Sequence, residues 1–228
     1  RKQGHLLLVR RGLYAAVGPG MSPETCPVDP YLLAAKLADD AVLAYHTALE
    51  VHGKAHAVFE RFSYLTSRAT RPVMFRACRF AGVRPPSALR ARHQEGYDIR
   101  TVDRAGGSLR VTSLERTMVD VLDRPELSGG WEEIWRSLEA VEFFDLDQVV
   151  AYALLLKNAT TAAKVGYFLD RHRQALMVED KHLAPLQQHR PQRPHYMDRA
   201  HRGKGRLISS WNLVVPASVA DRSWEETP

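Results

Sequence analysis

The sequence predicts an α/β chain of the α+β kind: a short basic hairpin, then a mixed sheet-plus-helices domain whose C-terminal half is helical. Three observations carry that prediction. Between residues 56 and 112, β-branched and aromatic residues recur with strand-like alternation; after residue 112, apolar residues recur at helical spacing in four successive stripes. A Pro- and Gly-rich stretch, Pro19, Gly20, Pro23 and Pro27, separates both from an apolar hairpin at the start. The chain is thereby divided into a hairpin over 1–18, a linker over 19–29, a domain over 30–216 and an acidic tail over 217–228.

Leu6 to Val9 and Leu13 to Val17 are two short apolar segments joined by Arg10-Arg11-Gly12, the pattern of a β-hairpin with a basic turn. Asp29 before Pro30 is a helix start, since the carboxylate caps free amides and proline at the first position lacks only an amide that would be unpaired anyway. Thr47 to Val51 forms a second short helix stopped by Gly53. Strands are predicted near Ala57–Leu65, Val73–Phe80, Tyr97–Val102 and Leu109–Val111, the last two joined through Arg104-Ala105-Gly106-Gly107.

Thr112 and Glu115 are spaced as a capping box for a helix beginning near Ser113, with Leu114, Met118, Val121 and Leu122 on one face and Arg124-Pro125 ending it. Ser128-Gly129-Gly130 opens the next helix, striped by Trp131, Ile134, Trp135, Leu138 and Val141. Asp145 with Gln148 is a second capping box, ahead of Leu146, Val149, Val150, Ala153 and Leu154; Val165, Phe168, Leu169 and Leu176 make the last stripe. The four stripes are expected to pack against the sheet. From His182 to Arg206 the chain is basic, and Pro185, Pro191 and Pro194 argue against helix, before one closing strand near Trp211–Val215.

The net charge of +6 is segregated. Residues 1–20 carry four basic groups and no acid, residues 61–104 carry ten Arg against three acids, and residues 181–206 carry seven Lys or Arg against Asp198. Residues 105–180 oppose them with thirteen acids against eight bases. Separated basic surface suits a polyanion, because phosphate contacts from Lys and Arg supply most non-specific nucleic-acid affinity; arginine-rich solvated faces give the same counts. No apolar run approaches the roughly 18 residues of a membrane span, so a soluble, cytoplasmic protein is expected. Cys26 and Cys78, far apart and without C-x-x-C spacing, are expected as unpaired thiols of a reducing compartment.

The phrase E-R-T-M-V-D followed by D-R-P-E-L-S-G-G, within 115–130, resembles the C-terminal domain of the AbiE-system antitoxins, the type IV toxin-antitoxin regulators of bacterial abortive infection. L-V-R-R-G-L-Y-A-A-V at 8–17, H-T-A-L-E-V-H-G at 46–53 and G-R-L-I-S-S-W-N-L-V-V-P at 205–216 agree with it in order and spacing. The resemblance implies an antitoxin and transcriptional autorepressor whose toxin is a nucleotidyltransferase acting without a tight antitoxin complex. It also implies that the hairpin is the wing of a winged helix-turn-helix truncated ahead of Arg1, with base readout in the missing helices. The alternatives are a plain DNA-binding regulator and, with less to support it, a nuclease or transferase acting on nucleic acid.

Arg10 and Arg11, with Arg1 and Lys2 beside them, are the DNA-binding candidates, since wings set basic tips against phosphates or a minor groove. Arg199, Arg202, Lys204 and Arg206 are candidates for a continuing basic surface or for contact with an acidic partner. His46, Glu50 and His52 are the one cluster with metal-ligand chemistry, but His46 and His52 are six apart and fall on different helix faces, so a structural role and no metal are expected. Glu115, Asp120 and Asp123 lack the lysine that a metal-dependent nuclease pairs with its acids. Gly129-Gly130 is a poor phosphate cradle because Glu132 and Glu133 follow it. No phosphate loop, nucleophile elbow or H-E-x-x-H motif is present, so neither catalysis nor a cofactor is expected.

Overall fold

A computed structural model describes residues 6–198, 203, 205–222 and 224. The hairpin is β1 (Leu6–Arg10) and β2 (Leu13–Ala16), antiparallel with Leu8 opposite Tyr14 and a bulge before Arg10. Gly12 takes φ 82°, a conformation that costs glycine nothing and most residues a good deal. Helix α1 (Pro30–Ala35) starts where expected, the Asp29 carboxylate accepting from the amides of Tyr31 and Leu32.

The main sheet has six strands in the order β5-β6-β4-β3-β8-β7. They are β3 (Val42–Leu43), β4 (Arg61–Leu65), β5 (Val73–Phe75), β6 (Cys78–Val83), β7 (Ile99–Arg104) and β8 (Gly107–Thr112), with α2 (His46–Val51) after β3 and α3 (Ser87–Arg90) after β6. The single strand expected over 73–80 is a hairpin instead, folded at Arg76 (φ 53°) so that Val73 lies opposite Phe80. Alternation sorts the strands into two faces. Leu43, Phe62, Tyr64, Phe80, Leu109 and Val111 form a core with Leu33, Ala34 and Leu37 around α1, and Val9 and Leu13 of the hairpin dock on that same core.

Helices α4 (Leu114–Asp123), α5 (Trp131–Glu139), α6 (Leu146–Leu155), α7 (Ala159–Arg171) and α8 (Asp180–Gln188) follow, with a 3₁₀ turn over Pro125–Leu127. Their stripes do not lie against the main sheet as expected. They pack mainly on one another, around Trp135, Phe168 and Leu169, with a small sheet of β10 (Gly205–Ile208), β11 (Leu213–Pro216) and β9 (His195–Tyr196) closing the cluster through Leu213 and Val215.

Local chemistry corrects three further expectations. The cap of α4 is Ser113, whose hydroxyl accepts from the Arg116 amide, while Thr112 ends β8 and the Glu115 carboxylate accepts from the Asp145 amide. Asp145 does cap α6, but the Gln148 side chain donates to that carboxylate instead of accepting from the Asp145 amide, which donates to Glu115. Helix α8 forms despite Pro185, since one missing backbone hydrogen bond is outweighed by burial of Leu183 and Leu186 and by the His182 ring accepting from the Glu179 amide.

The segments on either side of the main body pack against it. The linker is docked: Cys26 is buried, and Arg76 donates to the carbonyls of Pro23 and Cys26. The tail does not leave the body at 217, because α9 (Ala217–Asp221) buries Val219 and Ala220, and Trp224 joins the helical core. Cys26 and Cys78 are both free thiols. Among the described residues no helix is long and apolar enough to cross a membrane.

Candidate nucleic-acid interface

The hairpin is held by its apolar side and by one arginine. Val9 and Leu13 sit on the sheet core, and the Arg10 guanidinium reaches back to the Leu37 carbonyl at 2.7 Å. Arg10 therefore does not stand free at the turn as expected. Arg11 does: it is exposed and has no side-chain partner among the described residues. Arg1, Lys2, Arg199, Arg202 and Lys204 lie outside the described residues; Arg206 is exposed on β10, 3.9 Å from Asp221.

The ten arginines of 61–104 divide the same way. Arg68 pairs with Asp39, Arg100 with Asp98, and Arg104 with Asp29 while lying 4.1 Å over the Tyr31 ring. Arg76, Arg90 and Arg92 donate to backbone carbonyls of the linker, of Pro85 and of Leu155. Six of the ten thus have partners within the chain, three of them aspartates and three backbone carbonyls. Arg61, Arg71, Arg79 and Arg84 are exposed without a side-chain partner among the described residues.

Arg61 and Arg79 occupy register partners on the adjacent parallel strands β4 and β6. Phe62 and Phe80, one residue on, stack at 5.2 Å on the core face, so the two arginines project from the opposite face, away from the hairpin. They flank a cavity of about 170 Å³ lined also by Phe59, Ser63, Ala81, Glu126, Leu127, Gly129 and His46. Gly129 (φ 81°) is required there, since a Cβ would fall 2.5 Å from the Phe59 ring. A repeated Arg-Phe dipeptide, Arg61-Phe62 and Arg79-Phe80, was the available sequence signal for this pairing.

His46 opens α2 behind Tyr45, whose backbone (φ 58°, ψ −136°) lies in a region that costs a non-glycine residue about 1–3 kcal/mol. Its ring is 2% exposed, 3.0 Å from Glu133 Oε1 and 3.4 Å from Glu50 Oε1, and Phe59 stacks on it at 4.2 Å. Glu133 also accepts from the amides of His56 and Ala57 and from Ser137. Glu133, 87 residues from His46, could not be paired with it from sequence. His52 turns away, to the Thr112 carbonyl at 2.8 Å. No group of three metal-binding side chains forms among the described residues.

This network fixes a pH dependence. Burial opposes charge on His46, but hydrogen bonds and charge from Glu50 and Glu133 outweigh it and raise its pKa above 6.5. Burial also opposes charge on Glu133, and the Ala57 amide, His46 and Ser137 together lower its pKa below 4.5. A raised histidine contributes stability fully below its unfolded pKa and loses it as pH climbs through the folded one. A depressed carboxylate contributes above its unfolded pKa and loses it as pH falls through the folded one. The pair's contribution is therefore fullest between pH about 4.5 and 6.5. Urea unfolding across pH is expected to show a loss of stability on the alkaline side that His46→Gln removes; identical pH profiles for the two proteins would exclude the charged pair.

The acids of α4 are likewise occupied. Asp120 is buried against Arg116 and Tyr152, Asp123 accepts from Asn158 and Thr161, and Glu115 serves the α6 start. A larger cavity of about 340 Å³ lies beside Trp131, Asn158, Thr161 and Lys164. The Lys164 ammonium there donates to the Leu122 and Asp123 carbonyls and sits 5.1 Å from the Trp131 ring, closing the C-terminus of α4.

The sequence matches no protein-family model. No curated protein matches it either. Among solved structures, the chain is similar to the RV2827C protein from Mycobacterium tuberculosis, with a TM-score of 0.67 and 20% identity over 99% of this chain and 80% of that one. At that identity the likeness shows the fold.

Proposed function

We propose that the chain is a DNA-binding transcriptional regulator, acting in the cytoplasm as the antitoxin and autorepressor of a bacterial toxin-antitoxin operon. The observation that carries the DNA-binding part is the hairpin: docked by Val9 and Leu13 and tied by Arg10 to Leu37, it leaves Arg11 exposed at its turn. An exposed guanidinium, unpartnered among the described residues, at the turn of a docked hairpin suits a phosphate or minor-groove contact. The antitoxin part rests on the resemblance of 115–130 and its three companion stretches. It implies a nucleotidyltransferase toxin countered without a tight complex.

Titration of the protein with duplex DNA over a range of salt tests the reading. Affinity is expected to fall steeply with salt, and Arg11→Glu to lower the log-log slope by about 0.9 for the lost phosphate contact. Arg10→Ala acts on hairpin docking and is expected to change stability more than slope. An Arg11→Glu slope equal to that of the parent removes the hairpin from the contact surface. Co-expression with a nucleotidyltransferase encoded beside this gene separates the antitoxin from a plain regulator: relief of growth arrest supports the former, and continued arrest refutes it.

A further inference from the structure

From the face opposite the hairpin we infer a second, separate binding site, for a phosphate monoester, in the cavity between β4, β6 and the turn before α5. Like charges held side by side on adjacent strands repel. Arg61 and Arg79 are in register all the same, exposed, and without an acid or carbonyl partner among the described residues. The other arginines of this segment show how readily the fold supplies partners: Arg68, Arg100 and Arg104 each meet an aspartate. An unneutralised pair at the mouth of a cavity is the arrangement that a doubly charged phosphate satisfies, since each guanidinium can present two parallel N–H donors to its oxygens.

The neighbouring acids do not cancel the pair. Glu126 on the rim is engaged by Arg124 at 3.0 Å, and Glu133 is turned inward to His46 and to the amides of His56 and Ala57. The anion is thus bound by side chains on two strands and not by the start of α5. Behind the arginines the walls are Phe59, Ala81 and Leu127, with Ser63 as a small polar group. About 170 Å³ is too little for a drug-sized molecule, whose pockets begin near about 300 Å³. It suits a phosphate with part of one flat group behind it, such as a nucleoside 5′-monophosphate, free or at the end of a strand.

The test is calorimetric titration of the full chain with inorganic phosphate, a nucleoside, its 5′-monophosphate, and a short single strand carrying either a 5′-phosphate or a 5′-hydroxyl. The monophosphate is expected to bind at least about tenfold more tightly than the nucleoside, as charge-assisted hydrogen bonds require. Arg61→Gln with Arg79→Gln is expected to abolish that preference. Both side chains are exposed, so an unchanged melting temperature verifies folding of the double variant. Arg11→Glu is expected to leave the preference intact, which separates this site from the hairpin. A strand that binds better with its 5′-phosphate, and more tightly than the free monophosphate, assigns the site to nucleic-acid ends; the reverse order assigns it to a small phosphorylated molecule. Equal binding of nucleoside and monophosphate, no binding of any phosphate probe at millimolar concentration, or a double variant that keeps the preference would each overturn the proposal.

Discussion

Trp135→Ala is expected to cost about 3–5 kcal/mol in urea unfolding, with the denaturant slope unchanged. The ring is 1% exposed and packs edge-on to Phe168 at 5.1 Å, with Tyr167 at 5.9 Å and His172 at 6.2 Å. Truncation removes both its transfer free energy and its contacts with α7, and three rigid rings cannot collapse into the space. Phe143→Ala is the control: that ring is 66% exposed and should change stability by no more than about 0.5 kcal/mol. A Trp135→Ala cost as small as the control's would mean that α5 and α7 do not share a core.

Asp120→Ala is expected to destabilise by about 3–5 kcal/mol for a different reason. The Arg116 guanidinium is fully buried, with Nε 3.3 Å from Asp120 Oδ2, Nη1 donating to the Glu95 and Tyr97 carbonyls, and the plane 5.5 Å from the Tyr152 ring. Tyr152 donates to the other Asp120 oxygen at 2.7 Å. Burial pushes the Asp120 carboxyl up against the pull of Arg116, whereas the arginine stays charged in any environment. Removing the aspartate therefore strands a cation and a hydroxyl together in the core. Asp120→Asn keeps one oxygen to accept from Arg116, and its amide N–H can donate to a rotated Tyr152 hydroxyl, so it is expected to cost clearly less. Equal costs for the two variants would show that hydrogen bonding plays no part in holding Arg116.

These two sites mark what the sequence could and could not convey. Trp135 was legible because helical spacing with Ile134 and Leu138 places large apolar groups on one face whatever lies opposite. That the face meets α7, and not the main sheet, depends on chain direction after Pro125 and Asn158, which periodicity does not encode. Asp120 stood in the sequence only as one of three acids without a nuclease lysine, because burial of a charge is visible only once Arg116, four residues away on the same face, and Tyr152, from another helix, are brought to it. The cap at Ser113 instead of Thr112 is a one-residue ambiguity between two hydroxyls, settled by β8 claiming Thr112 for the sheet. Pro185 was weighed as a local breaker, and the burial of Leu183 and Leu186 against other helices decided otherwise.

At the candidate interface, composition gave the basic segments but not their division. Ten arginines over 61–104 count alike in sequence, yet loop carbonyls and aspartates occupy six and leave four exposed and unpartnered among the described residues. Arg10 and Arg11 are adjacent in the chain and opposite in role for the same geometric reason, since only Arg10 can reach Leu37.

The direct measurement on the central claim is amide hydrogen exchange of the chain with and without duplex DNA at low salt. The hairpin, residues 6–16, is expected to gain protection on binding, with Arg11 and Gly12 slowed most. Protection confined to other segments, with the exchange of 6–16 unaltered at saturating DNA, would contradict the account.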